Sequence, residues 1–121
     1  MKKALTLFAL LFVAVSVNAQ TATELAGKWK LVKWTDKKGT EKDINDYFKT
    51  TEVYQVFDAD GKFQSLVGEK VTKGKWKLSK DNKKLTVTVL LINEIFDINY
   101  FDAKKRVIST PQLGTLEYEK Q

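Results

Sequence analysis

Glu52–Val67, EVYQVFDADGKFQSLV, decides the fold class. Two short runs rich in Val, Phe and Tyr flank Asp58-Ala59-Asp60-Gly61. Gly accepts positive φ without steric cost and Asp favours turns, so the segment reads as a β-hairpin. The same grammar continues on both sides. Upstream lies GKWKLVKWT (Gly27–Thr35). Downstream lie GKWKLS (Gly74–Ser79), LTVTVLLI (Leu85–Ile92), IFDINYF (Ile95–Phe101), RVIST (Arg106–Thr110) before Pro111, and LGTLEYE (Leu113–Glu119). Turn residues separate these runs, as in KDNKK and DAKK. The segments number eight, at the spacing of a sandwich or barrel. Connections this short favour antiparallel neighbours. An open sheet would leave an aggregation-prone edge such as Leu85–Ile92, and closure removes it. The expected architecture is all-β, an antiparallel up-and-down eight-stranded barrel.

Two stretches depart from the strand pattern. TATELAG (Thr21–Gly27) predicts one helical turn capped by Thr21 or Thr23, with Glu24 in its first turn. EKDINDYFK (Glu41–Lys49) places Ile44, Tyr47 and Phe48 on one helical stripe. A helix that short needs packing partners, so it reads as a lid over the barrel end, or as a loop.

Residues 1–19 read as a cleavable export signal. Lys2 and Lys3 precede an apolar run, Ala4 to Val17, and Val17 and Ala19 stand at −3 and −1 before Gln20. No cysteine follows to carry a lipid. The expected location is the periplasm or the medium, without a stable membrane anchor after cleavage. Residues 20–121 then form one domain, large enough to bury a core without staples.

Composition excludes several chemistries. The chain has no His and no Cys. That removes Ser-His-Asp triads, cysteine nucleophiles and the usual zinc, copper and haem ligand sets. No cofactor and no metal site are expected. The net charge of +6 is spread along the chain and interleaved with acids, so it reads as solubility and not as a nucleic-acid footprint. Asp58 to Glu69 has the length of a calcium loop, but Phe63 occupies the sixth position, where such a loop needs Gly. Asp97 and Asn99 alternate with Phe96 and Ile98 and read as outward polar positions. No acid is read as facing the interior, and no catalysis is expected.

Gly27-Lys28-Trp29, at the head of the first strand after a helical turn, resembles the lipocalin G-x-W motif. The order that follows is also similar: an excursion after the first strand, a run of hairpins, and a final LEYE strand. The chain resembles short lipocalin-like domains of bacterial exported proteins over residues 24–119. GKWKL recurs at Gly74–Leu78, too few copies for a repeat architecture. The chain is shorter than typical lipocalins and lacks their disulfides, which argues against a roomy cavity. The resemblance implies that Trp29 closes the barrel bottom and that Arg106, the only arginine, stacks across it. Two other placements of Arg106 stay open: inside the cavity, paired with a ligand carboxylate as in fatty-acid-binding barrels, or on the solvent face.

Strand alternation assigns an inward set: Trp29, Leu31, Tyr54, Val56, Phe63, Val67, Trp76, Leu78, Leu85, Val87, Val89, Phe96, Ile98 and Tyr100. Trp34 falls on the face opposite Trp29. The candidate ligand-binding residues are Tyr54, Val56, Phe63, Trp76, Leu78, Val87, Phe96, Ile98, Tyr100 and Arg106, with Ser65 a further hydroxyl. The expected partner is a small, partly apolar molecule. The alternative is a filled barrel serving as a protein-interaction or inhibitor module at the cell envelope.

Overall fold

The computed structural model describes residues 22–121. The expected export signal lies outside them. The helical turn α1 (Ala22–Leu25) leads into β1 (Gly27–Thr35). Then come β2 (Glu41–Lys42), α2 (Ile44–Phe48), β3 (Val53–Phe57), β4 (Lys62–Val67) and β5 (Lys70–Leu78). β6 (Lys84–Val89), β7 (Ile92–Phe101), β8 (Lys105–Thr110) and β9 (Gly114–Lys120) complete the chain. Neighbours pair antiparallel in chain order, and β9 returns to β1. The result is the closed up-and-down barrel expected from the hairpin grammar, with β2 as a small addition beside Trp34 and Thr35.

Local chemistry explains the departures from the expected elements. The helix expected over Glu41–Lys49 shrinks to Ile44–Phe48, because Asp43 caps it by accepting from the Asp46 amide at 2.9 Å. It ends at Lys49, whose φ is +65°. The run Leu85–Ile92 is not one strand. It folds back at Leu90 and Leu91, with φ of +53° and +68°, so β6 ends at Val89 and β7 starts at Ile92. That two-residue turn normally takes Asn-Gly, and each leucine held there costs about 1 kcal/mol or more. The fifth strand starts four residues earlier than Gly74, at Lys70, because Gly68 at φ +60° already turns the chain.

Register corrects the inward set in three places. Phe57 pairs with Phe63 across the Asp58–Gly61 turn, and paired residues share a face. Val53, Gln55 and Phe57 therefore point inward and Tyr54 and Val56 outward, the reverse of the expectation. A bulge between Leu31 and Lys33 shifts β1 by one residue, so Trp34 joins Trp29 inside. A second bulge, at Asn99, brings Phe101 in and leaves Tyr100 outside, 47% exposed.

Leu25, Trp29, Phe57, Leu85, Ile108 and Arg106 are the largest fully buried side chains. Leu25, Trp29, Phe57 and Arg106 among them pack near the end of the barrel that α1 covers. Trp29 Nε1 donates to the Leu25 carbonyl at 2.8 Å, which fastens α1 beneath the barrel. Lys120 Nζ donates to the Ala26 carbonyl at 2.7 Å on the same side.

Candidate functional site

The interior is divided between two ends. Near the α1 end aromatic rings fill it. Phe57 meets Phe63 at 5.1 Å and Trp76 at 5.8 Å between centroids, in edge-on geometry. Trp76 Nε1 donates to the Asp58 carbonyl at 2.9 Å and ties this cluster to the β3–β4 turn.

Arg106 lies within this packing. It is fully buried, with its guanidinium carbon 5.0 Å from the Trp29 ring, 4.9 Å from Phe57 and 4.5 Å from Tyr118. The rings' negative faces stabilise the cation where no carboxylate among the described residues does. NH2 donates to Gln55 Oε1 at 2.7 Å, while Nε and NH1 meet no acceptor among the described residues. The solvent-facing placement of Arg106 is thereby excluded, and stacking on Trp29 is what the geometry shows.

Beyond this packing, at the opposite end, an apolar cleft of about 260 Å³ remains open. Leu31, Trp34, Val53, Val67, Phe96 and Leu116 form its walls, and Tyr47, Phe48 and Leu113 lie at its mouth. The polar side chains are few: Gln55, Ser65 and Tyr118, with Tyr47 and Tyr54 at the border. α2 stays in place through Trp34, whose ring meets Tyr47 at 4.8 Å and Phe48 at 6.0 Å. Trp34 Nε1 donates to the Leu113 carbonyl at 2.8 Å, so one side chain joins α2 to the β8–β9 turn. The larger hollows, over Lys75, Lys77 and Thr86 or over Ala59 and Lys80, are open furrows on the outer surface.

Of the residues expected to bind ligand, Phe96, Tyr54 and the further hydroxyl Ser65 border the cleft. Tyr54 does so from the strand between Val53 and Gln55. Its hydroxyl donates to Glu52 at 2.6 Å, and its ring lies under Lys28 Nζ at 4.3 Å, both on the outside. Phe63, Trp76 and Val87 are buried in the core, and Leu78 and Ile98 pack against it. Val56 and Tyr100 are on the outer face, and Arg106 lies behind Gln55. Trp34, Gln55, Leu116 and Tyr118 were not expected at the site. The signal for Trp34 was present in β1: apolar positions 29, 31 and 34 slip phase once, as a bulge requires. Glu94 corrects another expectation, since it stands opposite Val87 on the inward face.

Burial perturbs Tyr118, at the cleft, and Arg106, in the packing behind it. Desolvation pushes Tyr118 up to about 12, against the pull of Arg106. Desolvation lowers Arg106 to about 10, opposed by Tyr118, so it stays charged at neutral pH. The signs oppose. The raised Tyr118 value adds stability below pH 10 that is lost between pH 10 and about 12. The depressed Arg106 value means that folding forces proton loss early, so its cost is relieved as pH rises from about 10 to 12.5. Tyrosinate absorbance is expected to show a step near pH 12 that Tyr118→Phe removes. Absence of that step would contradict its burial.

No protein-family model matches the chain, and no curated protein matches it. Solved structures do. A lipocalin-like protein from Bacteroides uniformis superposes with a TM-score of 0.65 at 16% identity, covering 81% of this chain and 99% of that one. An uncharacterized protein from Bacteroides eggerthii gives 0.65 at 14% identity, covering 80% and 99%. A DUF4847 family protein from Bacteroides vulgatus gives 0.54 at 13% identity, covering 80% and 95%. At these identities the likeness concerns the fold, which is lipocalin-like.

Proposed function

We propose that this chain is an exported binding protein that holds one small, partly apolar molecule in the cleft beneath α2. The observation that carries the reading is the cleft itself. It is apolar-walled, has few polar side chains, and is bordered by Tyr47 and Phe48. Its volume of about 260 Å³ lies just under the usual range for ligand pockets, roughly 300–1,000 Å³, so the ligand is small. Burial at roughly 25 cal/mol per Å² supplies the attraction, and Gln55, Ser65 and Tyr118 orient the polar end. Export rests on the lysine start, the apolar run and the Val17-Asn18-Ala19 site.

Trp34 forms part of the wall, so its fluorescence reports occupancy. Titration with octanoate and with 1-anilinonaphthalene-8-sulfonate is expected to give saturable changes. Val67→Trp, which fills the cleft, is expected to abolish them while the protein stays folded. No saturable change with either probe, or unchanged binding by the Val67→Trp protein, would refute the proposal.

A further inference from the structure

The β6–β7 turn carries leucines where a hairpin least favours them. Leu90 and Leu91 both hold positive φ, and they are 79% and 98% exposed. Strain and solvent-exposed apolar surface thus coincide at one tip, and neither serves the barrel core. The turn is not alone. Ile92 and Ile95 on β7 and Val71 on β5 are also exposed large apolar residues. Beside them the outer face of β5 carries Lys73, Lys75 and Lys77, all exposed. Lys75 pairs with Thr88 and Lys77 with Thr86, so this lysine column runs alongside the hairpin. The nearby acids are Glu69, in the adjoining turn, Glu94, on the inward face, and Asp60, which borders the furrow with Lys75 and Lys77 at the far end of the column from the tip. The outer face between the tip and Asp97 therefore shows cations, threonines and apolar side chains.

We propose that the β6–β7 tip docks on a membrane surface of anionic phospholipid, inserting Leu90, Leu91 and Ile92 while Lys73 and Lys75 meet the headgroups. A protruding pair of leucines fits a deformable apolar phase, and the lysine column complements its negative surface. The tip projects from the same end of the barrel as α2, because successive turns of an up-and-down barrel alternate ends. Docking there presents the cleft mouth to the lipid.

Asn-Gly is the preferred pair for this turn, so Leu90→Asn/Leu91→Gly removes the leucines and relieves the strain together. The barrel closes using residues 22–121 alone, and the chain from Gln20 is the one to test. Cosedimentation is measured with vesicles of phosphatidylcholine and of phosphatidylcholine with phosphatidylglycerol. The parent chain is expected to bind the anionic vesicles. The double variant is expected to bind about a hundredfold more weakly, since each leucine leaving water contributes roughly a factor of ten. Its melting temperature is expected to be equal or higher. Lys73→Gln and Lys75→Gln are each expected to weaken binding about fivefold and to flatten its salt dependence. Leu91→Asn alone gives a second, milder variant, since Asn tolerates the left-handed conformation. Absence of parent-chain binding overturns the proposal. So does vesicle binding that the leucine substitutions leave unchanged. A concentration-dependent dimer in light scattering, lost in the double variant without vesicle binding, would assign the tip to a second copy instead and also overturns it.

Discussion

Replacing Trp29 by alanine is expected to remove about 3–5 kcal/mol of stability, the range for truncating a fully buried large aromatic. Trp29 has no exposed surface. Its ring lies against Phe101 at 6.0 Å between centroids, with Arg106 and Lys120 Nζ at 5.0 and 5.1 Å from it. Its indole N–H also holds the Leu25 carbonyl. The substitution leaves a cavity, exposes the Arg106 charge to an unfilled space and releases α1. For a domain of this size the loss is a large share of a total near 5–15 kcal/mol, and the melting temperature should fall by roughly 15 °C or more. Thermal unfolding followed by circular dichroism measures it. A fall of only a few degrees would show that the closed end carries little of the stability.

Arg106 is expected to behave differently according to what replaces it. Arg106→Ala removes the stacking, leaves a cavity among Trp29, Phe57 and Tyr118, and orphans Gln55 Oε1, at a cost of about 3–5 kcal/mol. Arg106→Met orphans Gln55 Oε1 as well, but it fills most of the volume and removes a buried charge with two unpaired nitrogens. Replacing a buried ion by an apolar side chain of similar size is often neutral, so this variant should lose only the orphaned acceptor, about 1–2 kcal/mol. Chemical denaturation of both variants provides the comparison. Equal losses would show that the charge itself, held by the rings, is the stabilising element. A double-mutant cycle with Trp29→Ala should give a coupling of about 0.5–3 kcal/mol, because the two side chains share one contact.

The barrel was legible because hairpin chemistry is local. Asp60-Gly61 between apolar runs, the alternation in Gly74–Leu78 and the shortness of every connection after β3 favoured antiparallel neighbours and left no room for crossovers there. The lid was half legible: Ile44, Tyr47 and Phe48 revealed the stripe, while its length was set by the Asp43 cap and by the docking of Tyr47 and Phe48 on Trp34. The cleft was less so. Each bulge inserts one residue and inverts every side chain after it, so Trp34 and Phe101 came inside and Tyr100 went out. The register of β3 has a local signal. Phe57 and Phe63 flank the same turn and had to share a face, which points Gln55 inward and Tyr54 outward.

By itself the sequence determined the class of the sheet, the order of its strands and the exclusion of histidine and cysteine chemistry. These follow from composition and from turn preferences that act within a few residues. Only the tertiary structure decided that the interior is filled at one end and open at the other. That outcome depends on the register of β1 against β9 and of β7 against β8, on two bulges, and on Arg106 lying among three rings from distant parts of the chain. Such contacts are long-range: a local phase slip in β1 marks Trp34 without specifying what it packs against.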